Sequence, residues 1–133
     1  MLPDRQREIE FHRARVRKFV TEGNGPEARV SYTKWVESLR QYNIATGGAL
    51  EAELAQAKGE YSEFVRTDGF YLSIYEAVST IIRQTPGILQ SQVHREIPNF
   101  SKSDIAWALY FAADHGKTIR TKKGRSYTLT LKT

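Results

Sequence analysis

Cysteine is absent from the 133 residues. That excludes a disulfide framework, a thiolate zinc site and a cysteine nucleophile, and it fits a reducing, cytoplasmic setting. Histidine is scarce as well. His12, His94 and His115 stand far apart and none belongs to an HExxH or similar ligand cluster, so neither a metal nor any other cofactor is expected. Long apolar runs are missing. The most apolar window, residues 69–82, contains Glu76 and falls short of the ~20 residues a membrane helix needs. The opening MLPDRQREIE is charged from its fourth residue, unlike a secretory signal. There is no GxSxG and no phosphate-cradling glycine loop; the glycines of residues 22–26 and 46–48 sit in short turns. Glu51, Glu53, Glu60 and Glu63 read as one solvated helix face, not an acid/base pair. An enzyme is therefore not expected.

What the chain does have is positive charge on one side of its sequence. Residues 1–68 carry eleven Lys/Arg and eleven Asp/Glu, whereas residues 69–133 carry nine against four. The whole net charge of +5 thus lies in the second half. A one-sided basic field is what a polyanion partner requires, because each phosphate neutralised releases condensed counterions.

The second half has a readable order. Phe70, Ile74, Val78, Ile81 and Ile82 give a helix an apolar face, with Asp68 placed to cap it. Residues 84–87, Gln-Thr-Pro-Gly, close it. A short helix over about 90–97 follows, with Leu89, Val93 and Ile97 inward, and Pro98 ends it. Ser101 then caps a longer helix over 101–115, and Asp104 completes a capping-box pattern. Ile105, Ala108, Leu109 and Ala112 form its stripe, and Gly116 stops it. So short a join between the two helices is the spacing of a helix-turn-helix. After Gly116 the period changes to two. Tyr127, Leu129 and Leu131 alternate with Ser126, Thr128 and Thr130, as in a half-buried strand. Lys122, Lys123, Gly124 and Arg125 join this strand to an earlier one at 118–121, making a hairpin over 118–131. From Gly116 onward there are six basic residues and no acid.

These residues resemble a bacterial winged helix-turn-helix domain over residues 69–133, about half the chain. The resemblance is carried by TPGILQSQV, FSKSDIAWAL and DHGKTIRTKKGRSYTL. It implies a mainly α fold with a small β-hairpin wing, after an N-terminal extension of about three helices over residues 1–68. It also implies double-stranded DNA as partner, with the helix over 101–115 in the major groove and the wing on the backbone. By position, Ser101, Lys102, Ser103 and Trp107 fall at the bases, and Lys122, Lys123 and Arg125 on phosphates. Gln90, Tyr110 and Arg120 complete the expected DNA-binding set. A transcriptional regulator is the leading expectation. The rival is a winged-helix protein-interaction module in a replication, partition or mobile-element assembly, motivated by the aromatic outer face of the same helix. For Trp107 two readings stand side by side: contact with DNA, and packing inside the protein.

The first half carries no such resemblance. It predicts helices over about 4–21, 27–44 and 49–66. The first puts Ile9, Val16, Phe19 and Val20 on one side, and the second aligns Tyr32, Trp35, Val36 and Leu39. In the third, Leu50, Leu54, Ala57, Tyr61 and Phe64 make an a/d seam. That seam fits packing on the preceding helix and equally a homodimer interface through residues 49–66, which would present two recognition helices to symmetric half-sites. Trp35, Tyr42 and Tyr61 are candidates for lining an effector pocket between the helical half and the wing, though aromatics at helical spacing also serve as plain core.

Overall fold

The computed structural model of the chain describes residues 3–132. The fold is mainly helical with a small antiparallel sheet near its C-terminal end. Two compact units divide between Glu63 and Phe64, five residues before the boundary read from the sequence. Moving the boundary leaves the charge asymmetry intact, because Arg66 and Asp68 change sides together.

The first unit contains α1 (Pro3–Thr21), α2 (Gly25–Ala45) and most of α3 (Glu51–Arg66). Asn24 caps α2 by accepting from the Glu27 N–H at 3.3 Å, so the helix begins two residues earlier than expected, with Pro26 in its first turn. Tyr32, Trp35, Val36 and Leu39 are buried as their spacing predicts. Of the α1 stripe, Ile9, Val16 and Phe19 are buried, but Val20 is exposed near the helix end. Asn43 holds the α2–α3 turn: its amide donates to Glu51 at 2.6 Å and its oxygen accepts from the Leu50 N–H at 2.8 Å. The α3 seam is used inside the chain. Leu50, Leu54, Ala57 and Tyr61 are buried, and Tyr61 stacks on Tyr32 with ring centroids 5.0 Å apart. A homodimer through residues 49–66 would therefore have to use the other, charged face of this helix.

The second unit runs α4 (Gly69–Gln84), β1 (Ile88–Leu89), α5 (Gln90–Glu96), α6 (Lys102–Asp114), β2 (Thr118–Lys123) and β3 (Ser126–Leu131). The strands pair antiparallel in the order β1-β3-β2. Tyr71, Ile74, Val78 and Ile82 from α4 meet Val93, Ile105, Leu109, Ala112 and Leu129 in one core. Two positions of the expected α4 face differ: Phe70 and Ile81 are only half-buried, and Tyr71 is the fully enclosed residue. Asp68 occupies the N-cap position of α4 but makes no side-chain cap bond, contrary to expectation.

β1 is absent from the sequence reading. Two residues are too few to show a period. It forms because Gly87, at a φ of 84°, turns the chain so that its N–H reaches the Leu129 carbonyl at 2.8 Å. Ile88 then pairs with Leu129, and Leu89 with Thr128.

The ends of α6 follow their residues. Ser101 Oγ accepts from the Asp104 N–H at 3.1 Å. At the other end Gly116, at a φ of 73°, lets the Lys117 N–H reach back to Ala112 and its own N–H to Ala113, at 2.9 and 3.0 Å.

Candidate nucleic-acid interface

The hairpin ladder decides which side each cation takes. Arg120 pairs with Leu129 and Lys122 with Tyr127, and alternation puts these four on one face with the buried Thr118. Lys123 pairs with Ser126 and shares the opposite face with Ile119 and Thr121. The two neighbouring lysines, grouped together in the sequence reading, thus leave the ladder on opposite faces. Gly124, at a φ of 61°, is the first of two loop residues, where a type II′ turn needs glycine.

A groove of about 310 Å³ opens between α5, the start of α6 and the hairpin. Gln90, His94, Lys102, Arg125 and Tyr127 line it over a floor of buried Ile105. Ser91, Ala106 and Ser126 complete the lining, and none of these residues is acidic. Lys102 and Arg125, from different elements, therefore share one concave surface. Arg120 stands behind it, half-buried. Its Nε donates to Gln90 Oε1 at 3.3 Å, and its guanidinium lies 4.1 Å from the centroid of the Tyr127 ring.

The expected site residues separate into groups. Gln90, Lys102, Arg120 and Arg125 come together at or just behind the groove. Ser101 and Ser103 are exposed at the α6 start, their hydroxyls 3.2 Å apart. Lys122 and Lys123 are exposed near the tip. Tyr110 is 54% exposed, edge-on to Phe111. Trp107 lies away from the groove, its indole against Phe70, Tyr71 and Phe111 at centroid distances of 5.9, 6.1 and 5.6 Å. Of the two readings of Trp107, internal packing is the one observed. Ser91, His94, Ser126 and Tyr127 were missed. Tyr127 had a signal, since an antiparallel hairpin centred on its glycine turn puts it diagonal to Arg120 on one face.

Beside this cluster Lys117 Nζ sits 5.1 Å from the Tyr75 ring centroid and 5.9 Å from that of Tyr71. Burial, and then Tyr75 beside it, pushes the Tyr71 phenol up to about 12, against a smaller opposing pull from Arg66. Its hydroxyl makes a long contact of 3.5 Å to His115 Nδ1.

In the first unit a cleft of about 200 Å³ lies between α1, α2 and α3. Trp35 lines it, and Tyr42 and Tyr61 do not. Tyr42 bonds the Glu8 carboxylate instead, as does Ser38 at 3.4 Å. His12 approaches the same carboxylate at 3.9 Å. Burial lowers its pKa, helped by Lys34 and Arg15 and opposed by Glu8. Among the described residues no group of three or more His, Cys, Asp or Glu side chains could hold a metal ion, and no helix is long and apolar enough to cross a membrane.

No family model matches the chain, and neither a curated protein nor a solved structure matches it.

Proposed function

We propose that the second unit is a winged helix-turn-helix domain that binds double-stranded DNA, and that the protein is a sequence-specific transcriptional regulator of the cytoplasm. One observation carries the reading. Lys102, at the start of the longer helix of the pair, and Arg125, at the hairpin tip, line the same acid-free groove. The element order supports it: two helices joined by a short turn, then a hairpin that the strand β1 ties to the start of the helix pair. In this reading α6 enters the major groove by its N-terminal end, with Ser101 and Ser103 toward the bases and Lys102 toward the backbone from within the groove. The hairpin cations take the backbone and supply affinity without sequence choice. Binding itself is the activity. The inward turn of Trp107 takes away most of the aromatic face that motivated a protein-docking module.

Selection of duplexes from a random pool at physiological salt, with the mass of the complex measured, tests the proposal. A shared sequence among the survivors, at one or two chains per duplex, is the expected result. A pool that stays unenriched, beside a salt-insensitive protein partner, would favour the docking module.

A further inference from the structure

Arginine settles the orientation of its neighbour. A guanidinium has only donors, so the Gln90 atom 3.3 Å from Arg120 Nε must be the amide oxygen. The amide nitrogen, with its two N–H groups, is then left for the groove that Gln90 lines. Three elements fix this arrangement: Gln90 opens α5, Arg120 lies in β2, and Tyr127 in β3 backs the guanidinium. Among the described residues Arg120 forms no ion pair with a carboxylate. A half-buried cation held by a neutral amide and a ring has lost solvation without a counter-charge.

The rest of the groove has the same character. Lys102 and Arg125 can only donate, Ser91, His94, Ser126 and Tyr127 can donate as well as accept, and no lining group is a carboxylate. Two cations among donor-capable groups, with no acid beside them, suit a negatively charged ligand rich in acceptors.

We infer that this groove is a phosphate subsite in which the Gln90 amide, oriented by Arg120, is a neutral donor to one phosphate of the nucleic-acid backbone. Resting on the DNA-binding reading, it assigns Gln90 to backbone rather than base recognition. Arg120 and Tyr127 are positioning residues that act through Gln90.

The test has two arms on the full chain. In the first, inorganic phosphate is titrated at constant ionic strength while side-chain amide resonances are followed by heteronuclear NMR. The Gln90 amide should shift saturably at millimolar phosphate, and Arg120→Lys should weaken that response. Gln90→Glu should abolish phosphate binding at the groove, read from the neighbouring backbone amides, by pairing with Arg120 and repelling the anion. An unmoved Gln90 amide in the wild type, or a shift shared by every surface amide, overturns the subsite.

In the second arm, duplex binding is measured for Gln90→Ala, Arg120→Lys and the double variant. Gln90→Ala should weaken binding about fivefold, as loss of one neutral hydrogen bond does. The loss should be equal for preferred and scrambled duplexes, and the salt slope should not change. In the Arg120→Lys background the same change should cost much less, because the amide is no longer held. Strictly additive losses, or a loss confined to one base pair, overturn the assignment. A phosphate response without duplex binding keeps the subsite and sinks the DNA reading. Duplex binding with a silent Gln90 does the reverse.

Discussion

Lys102, the first residue of α6, and Arg125, in the hairpin loop, line one groove, while Lys123, two residues before Arg125, is not part of its lining. The three cations should therefore differ. Lys102→Ala and Arg125→Ala should each flatten the dependence of log affinity on log salt by about 0.9. Lys123→Ala should change it by less than half as much. Anisotropy titrations over a range of salt check this, and equal slopes for all three variants would contradict the separate role of the two cations that line the groove.

Trp107 makes its contacts with Phe70, Tyr71 and Phe111, so its loss should appear as instability. Being half-buried, it should cost about 2 kcal/mol on change to Ala, below the range for a fully enclosed aromatic. Trp107→Phe should restore much of this. Urea unfolding gives the stability, and the fraction still folded should bind duplex with wild-type affinity.

The two ends of α6 offer a paired comparison. Ser101→Ala removes the acceptor for the Asp104 N–H and should cost about 1 kcal/mol, and Ser101→Gly less. Gly116→Ala should also cost about 1 kcal/mol. That cost is conformational, since an added Cβ meets nothing nearer than Lys132 Nζ at 4.0 Å while the φ of 73° remains unfavourable. Thermal melts of the three variants provide the check.

The enclosed Tyr71 phenol links stability to alkaline pH. Its pKa is about 12 in the folded chain against 10.0 for an unperturbed tyrosine. Between those values the unfolded chain gives up a proton that the folded chain keeps, so stability is full below pH 10 and falls as pH rises toward 12. Tyr71→Phe should flatten that limb, apart from contributions of the other tyrosines and lysines. Denaturation midpoints across this range, wild type against variant, would expose an unchanged limb if another group were responsible.

Much of this fold was legible because its long elements repeat. Ile105, Ala108, Leu109 and Ala112 are all buried, as helical spacing requires, and Leu129 is the enclosed residue of an alternating strand. What escaped depends on contacts across elements. β1 has no period of its own and exists through its pairing with β3. Trp107 lies off the apolar stripe on a helical wheel, yet Phe70 and Tyr71 on α4 reach it. Asp68 has the identity of a cap residue, but its side chain does not take that role. At the candidate site, composition located the basic hairpin. The link from Arg120 to Gln90 joins residues of different elements and has no sequence signature.

The two-residue strand β1 has a mechanical result. A lone hairpin is a weak ribbon in water. Here Gly87, Ile88 and Leu89 stitch it to the chain that leads directly into α5. The hairpin and the helix pair thus behave as the jaws of a caliper with a locked gauge, and the span between Lys102 and Arg125 is set before any target arrives. Under the proposed duplex binding, a groove that does not match that span has to deform to fit, and targets would then be sorted by shape as well as by letters.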